Sequence, residues 1–193
     1  YLMCIIYMDD CFGLSTVDIS TGDYYVTEVD QPKKLFDEIN KFTPAEIIHN
    51  EAFVMSGVNL TELKERHNIT VSSLESWYVD DAQCKRRLQE HFSVSTLDGL
   101  GLKDYPTGTL AAGALLLYLY ETQKNTLNHL THITPYNSNK YMMIDSSTRR
   151  NLELLETLRE KQKRGSLLWV LDKTKTAMGA RLLRTFIEQP YID

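Results

Sequence analysis

The sequence predicts an α/β fold with a mixed sheet, followed by the opening helices of an all-α domain. Three observations carry this. Residues 2–29 hold three apolar or alternating segments separated by short polar turns, which is the pattern of an antiparallel meander. From residue 32 the apolar spacing lengthens to that of helices, with short strand-like runs between them. After residues 131–140, rich in Asn, Ser and Thr with one Pro, strand signals stop apart from the short 141–144 run. The composition, 42% hydrophobic and 24% charged over 193 residues, excludes wholesale disorder, collagen and a bundle of membrane spans. Tyr1 stands where an initiating Met would, so a piece of a longer polypeptide is expected.

Leu2 to Met8 is apolar throughout and reads as a central strand buried on both faces. Asp9-Asp10-Cys11-Phe12-Gly13 reads as a turn and Leu14 to Ser20 as the second strand. Thr21-Gly22-Asp23 is a tight turn, and Tyr24 to Val29 alternates and closes the meander. Pro32 suits a first helical turn, and Leu35, Phe36 and Ile39 share a face, giving a helix over 32–41. Ala45 to His49 is a fourth strand. Leu60 and Leu63 mark a short helix ending near Asn68, and Ile69 to Val71 a fifth strand. Asp80 or Asp81 caps a helix to about Phe92 with Ala82, Leu88 and Phe92 inward. Leu97 to Leu102, with Gly99 and Gly101, is a loop. Pro106 and Thr107 open a long helix to about Lys124, apolar nearly all round and therefore central. Three hairpin-linked strands followed by α/β alternation is the ribonuclease-H-like order, a mixed sheet with helices on both faces.

Beyond the linker, Asp145 or Ser146 caps a helix carrying Leu152, Leu155 and Leu158 and ended by Gly165. Leu167, Leu168 and Leu171 form a short apolar turn around Trp169. Thr176 caps a last helix with Leu182, Leu183, Phe186 and Ile187, stopped by Pro190. So few helices close no full bundle, and residues 138–193 read as the start of an all-helical domain.

The charge is uneven. Residues 138–193 hold 11 Lys/Arg against 7 Asp/Glu, whereas residues 1–137 hold 10 against 19. The first part should not bind nucleic acid by field alone; the second could do so, or could carry solvated charges on helices. Three sparse cysteines, Cys4, Cys11 and Cys84, make no disulfide framework and no zinc set. The longest apolar run, Leu110 to Tyr120, is shorter than a membrane span.

The chemical motifs fall to plainer readings. A ribonuclease-H-like nuclease needs carboxylates converging on two metals, one of them from the first strand. Leu2 to Met8 has none, and only Asp9, Glu38 and Glu51 can be assembled on paper. Gly108 and Gly113 have phosphate-loop spacing, but Ala114 and Leu115 stand where Lys and Ser/Thr must be. His129 and His132 lack further ligands. Lys161, Lys163 and Arg164 are read at a helix C-terminus, where cations suit the dipole. Lys85, Arg86 and Gln89 interrupt the acidity of the first part on one exposed helix and form a candidate partner-docking surface. No catalytic, cofactor-binding or metal-ligating set is assigned.

The segments Ile144-Asp-Ser-Ser-Thr-Arg-Arg-Asn-Leu-Glu153 and Gly165-Ser-Leu-Leu-Trp-Val-Leu-Asp-Lys-Thr-Lys-Thr-Ala-Met-Gly-Ala-Arg-Leu-Leu-Arg184 resemble the MutS family of DNA mismatch repair proteins. Val17-Asp-Ile-Ser-Thr-Gly22, Pro44-Ala-Glu-Ile-Ile48 and the 110–120 run look like the connector domain of that family. The resemblance covers essentially the whole chain. It implies a ribonuclease-H-like, non-catalytic connector over residues 1–130, a linker over 131–140, and an incomplete helical core, or lever, domain over 141–193. It implies MutL as a partner at a connector docking surface, and a bacterial cytoplasmic protein. Mismatched duplex DNA, ATP with Mg and homodimer formation belong, in that family, to domains without a counterpart here. Phe36-Asp-Glu38 matches the family's Phe-x-Glu mismatch-reading triplet, but it lies on an amphipathic connector helix and is rejected for that role.

Overall fold

The computed structural model describes residues 1–59, 61, 69–123, 127–137, 142, 144, 146–188 and 190–192. The chain forms two compact units, Tyr1–Asn137 and Ser138–Asp193. In the first, β1 (Leu2–Met8), β2 (Cys11–Val17) and β3 (Tyr24–Val29) form the meander. Then come α1 (Pro32–Phe42), β4 (Glu46–His49), β5 (Thr70–Ser73), α2 (Asp81–Phe92), α3 (Pro106–Thr122) and β6 (Thr134–Pro135). The sheet runs β5-β4-β1-β2-β3-β6. The meander pairs are antiparallel; β1–β4, β4–β5 and β3–β6 are parallel. This is the ribonuclease-H-like order with one further edge strand. The helix expected over 60–68 lies outside the described residues.

The alternation along β1 divides the core into two layers. Leu2, Cys4 and Ile6 face α2 and α3, joined by Val17, Tyr24, Val26, Leu115 and Leu119. Met3 and Ile5 face α1, joined by Phe12, Leu14, Leu35, Ile39, Phe42 and Phe53. Burying both faces explains why β1 is apolar throughout. The central helix α3 touches the sheet at close range. Gly13 of β2 lies against the Thr107–Gly108 backbone, and Gly113 lies against Cys84 of α2, so a side chain at either would collide. Gly108 N–H donates to Glu28 Oε1 at 2.8 Å, so a carboxylate from β3 answers the helix N-terminus. Those glycines serve close packing, the plainer reading of the 108–113 spacing.

Four sequence expectations shift in this unit. The first turn is only Asp9-Asp10, both at positive φ (50° and 57°), so β2 starts at Cys11 rather than Leu14. Asp tolerates this conformation, which a two-residue hairpin requires. Asp18 follows β2, and its carboxylate accepts from Ser20 and Thr21 N–H, shaping the turn that Gly22 completes at φ 82°. Ala82 points outward; Cys84 and Leu88 are the buried residues of α2. The expected linker is part of the sheet at its start: Ile133 is buried, and Thr134 and Pro135 pair with Tyr25 and Val26.

The second unit contains α4 (Ser146–Asn151), α5 (Leu167–Leu171) and α6 (Ala177–Glu188). The expected helix from 145 or 146 to Gly165 stops at Asn151. Glu153 takes φ 50°, its N–H bonds to the Arg150 carbonyl (3.1 Å), and Leu154 N–H reaches back to that of Arg149 (3.3 Å). That pair of bonds is a Schellman ending, here with a non-glycine residue in the left-handed position. The basic run Lys161–Arg164 therefore lies in the irregular stretch between α4 and α5 and not at a helix C-terminus. Arg149 and Glu153, four residues apart, turn to other partners: Arg149 Nε donates to the Ile144 carbonyl, and Glu153 Oε1 accepts from Leu158 N–H. Ser166 caps α5 through Trp169 N–H, and Thr176 Oγ1 accepts from Gly179 N–H ahead of α6. Asp145, the other expected cap, lies outside the described residues. No helix among the described residues is long and apolar enough to cross a membrane.

Candidate functional site

The surface singled out by sequence is the outer face of α2. The helix forms because Asp80 caps it, its carboxylate accepting from Gln83 N–H at 2.8 Å. Cys84 and Leu88 fix the inner face against α3. Burial pushes the Cys84 thiol up to about 11, so it is a packing group and not a nucleophile at neutral pH. Arg87 is drawn inward, its Nη1 donating to the Tyr78 carbonyl. His91 ties the helix end to Tyr120 OH (2.6 Å) and the Leu130 carbonyl (2.9 Å). The candidate surface is thus held on a rigid support.

All three candidate residues reach solvent, and each has a partner on the chain. Lys85 Nζ pairs with Asp81 at 2.8 Å and Arg86 Nε with Glu90 at 2.6 Å. Gln89 Nε2 donates to the Ser95 carbonyl at 3.2 Å. The Glu90 carboxylate raises the Arg86 guanidinium pKa further. Exposed pairs at this spacing contribute only a few tenths of a kcal/mol, so they set side-chain positions more than stability. The cations therefore offer less net positive field than the sequence count suggested. The i, i+4 spacing of Asp81 to Lys85 and of Arg86 to Glu90 was the readable signal for this.

Sequence reasoning missed Trp77. The residue is 52% exposed, and its ring packs against that of Tyr78 with centroids 4.2 Å apart and planes tilted by 33°, shortly before the Asp80 cap. Tyr78 is anchored in turn, its hydroxyl donating to the Glu121 carboxylate. Burial first and Glu121 second push that phenol up to about 12. An exposed Trp on a fixed support beside charged residues is the kind of side chain that anchors protein contacts. The Trp-Tyr pair before a helix cap was its only sequence signal.

The acids considered for a nuclease do not converge. Asp9 sits exposed in the first turn and Glu51 exposed after β4. Glu38 is buried on α1, accepting from Tyr136 OH and paired with Lys41. Among the described residues no group of three or more His, Cys, Asp or Glu could hold a metal. His129 Nε2 contacts the Ile19 carbonyl, whereas His132 Nδ1 meets Thr131. Phe36 packs against the α1-side core, consistent with rejecting it as a mismatch reader. In the second unit Lys163 pairs with Asp172, and Lys173 and Lys175 precede α6.

Comparison with known proteins agrees with this architecture. The family model for MutS domain II matches residues 1–133, and that for MutS domain III matches residues 147–193. A DNA mismatch repair protein MutS from Lachnoclostridium phytofermentans is 65% identical over 192 residues, covering 100% of this chain and 21% of that protein. The MutS proteins of Ruminiclostridium cellulolyticum and Alkaliphilus metalliredigens are 45% and 43% identical, each over 100% of this chain and 22% of their own length. The chain thus spans about a fifth of the relatives it matches. With both units matched in order by consecutive MutS domains, the chain belongs to the MutS family of DNA mismatch repair proteins.

Proposed function

We propose that this chain is a non-catalytic connecting part of a mismatch repair protein. It links mismatch-reading and ATPase parts, and α2 contributes a docking surface for MutL. The observation that carries the reading is the domain II match over a sheet whose outer helix presents Lys85, Arg86 and Gln89 to solvent. Lys85 and Arg86 are held in place by weak exposed pairs, so a partner's carboxylates can take over from Asp81 and Glu90 at small cost. Binding of mismatched DNA, binding of ATP with Mg, and homodimer formation are assigned in this reading to the remaining length of the relatives. The bacterial source of those relatives supports a bacterial cytoplasmic setting.

The test is the affinity of the chain for purified MutL with Lys85→Glu and Arg86→Glu combined. Reversing two charges at a docking surface should weaken binding by about tenfold or more, mainly through slower association. An unchanged affinity, with helicity retained, would remove α2 from the interface.

A further inference from the structure

The last paired segment of the first unit is held mostly by side chains. Leu127, Leu130 and Ile133 root the approach to β6 in the α2/α3-side core. Beyond Ile133 the backbone attachment is slight. It includes the two-residue bridge to Tyr25 and Val26, and Tyr136 N–H donating to the Val26 carbonyl at 2.9 Å. Thr27 Oγ1 adds a bond to the Tyr136 carbonyl at 2.8 Å.

A side-chain latch on α1 adds to it. Tyr136 OH donates to Glu38 Oε2 at 2.5 Å, and Lys41 Nζ lies 3.2 Å from the same oxygen. That ammonium also sits 3.8 Å from the centre of the Tyr136 ring and 4.9 Å from that of Phe42. Tyr25 meets Tyr136 edge-on at 6.2 Å. The Lys41 and Glu38 side chains are only 9% and 6% exposed.

A buried ion pair adds little stability, because lost hydration offsets the attraction; it fixes geometry instead. Both charges come from α1, and β6 supplies the tyrosine over them. If β6 lifted, the pair would regain water, and that hydration would offset the lost phenol bond and cation–π contact. Undocking is therefore inexpensive compared with opening any strand of the central sheet.

We propose that β6 with Tyr136 is a releasable strap, hinged after Ile133 and latched by Glu38 and Lys41, that opens as a unit while the sheet stays folded. Release frees residues 134–137, up to about 13 Å of backbone contour, just ahead of the second unit, which begins at residue 138. It also bares the outer edge of β3. The strap rests on the α1–β6 contact and is independent of docking at α2.

The test is native-state hydrogen exchange, resolved residue by residue by NMR on the whole chain in increasing sub-denaturing urea. The residue 136 amide should exchange through a local opening with little urea dependence, well ahead of the β1 amides. Tyr136→Phe should speed it by about tenfold or more and leave β1 unchanged. Lys41→Met, which keeps the phenol, should do the same. The proposal is overturned if the residue 136 and β1 amides share one rate and one urea slope. It is equally overturned if neither variant changes residue 136, or if both speed all amides alike. The wild-type urea dependence decides the matter even if a variant fails to fold.

Discussion

The two units treat equally regular apolar stripes in opposite ways. In residues 1–137 the sheet takes in α1 on one face and α2 with α3 on the other, and β1 is buried from both sides. In residues 138–193 α6 has Met178, Leu182 and Phe186 at 61%, 54% and 52% exposure, and only Leu154 and Leu168 are buried apolar residues among those described. An amphipathic stripe states that a face needs cover; it does not supply the cover. The first unit carries its own cohesion. The second relies on local devices: the Ser166 and Thr176 caps, worth about 1 kcal/mol each, the Schellman ending at Glu153, and the Lys163–Asp172 pair.

The largest effect expected from this contrast is at the centre of α3. Leu115 is fully buried, and Leu115→Ala should cost about 2–5 kcal/mol, read as a lower urea midpoint of the first unit. A cost under about 1 kcal/mol would mean that the two-layer core is not the source of its stability.

A smaller contrast should appear with pH, and its sign differs between the units. Burial, then the partner carboxylate, raises the Tyr78 and Tyr118 phenols to about 12 from 10.0. A raised acid favours the folded state below the unfolded value, so that stabilisation is complete below pH 10 and is lost as pH climbs toward 12. In the second unit the Lys163 ammonium, then the Thr174 hydroxyl and amide, hold the Asp172 carboxylate near 2 against 3.8. A lowered acid stabilises above its unfolded value, so this contribution fades as pH falls from 3.8 toward 2. Trp77 and Trp169 report one unit each. Urea midpoints from single-Trp variants should fall at the alkaline end for the first unit and at the acid end for the second. Combined Tyr78→Phe and Tyr118→Phe should flatten the alkaline limb, and Asp172→Asn the acid limb. Parallel profiles in the two reporters would contradict the contrast.

The smallest effect belongs to the exposed stripe. Leu182→Ala should change the midpoint of the second unit by no more than about 0.5 kcal/mol. A loss near that of Leu115→Ala would show that Leu182 is covered in solution.

Much of the fold was readable where burial alone decides structure. The continuous apolar runs of β1 and α3 and the alternation of β3 gave their ranges to within about two residues. What was not readable depended on partners far along the chain or on rare backbone. Thr134 and Pro135 look like linker because Tyr136 is held by Glu38, 98 residues away. Glu38 itself looks like a surface acid until its partners are seen. Asp9, Asp10 and Glu153 adopt positive φ where a glycine would have announced the turn. At the candidate site the positions of Lys85, Arg86 and Gln89 followed from helical spacing. The pairing of Lys85 with Asp81 and of Arg86 with Glu90 was equally legible in that spacing, whereas Trp77 carried too little local pattern to stand out.

The central claim is that the first unit is closed upon itself and the second is not. Hydrogen exchange followed by mass spectrometry on the intact chain tests it most directly. The account requires deep protection in β1, β2 and α3, lost only on global unfolding of residues 1–137, and weak protection through α4, α5 and α6. Protection of α6 equal to that of β1 would contradict it, since α6 would then have a cover that its exposed Met178, Leu182 and Phe186 deny.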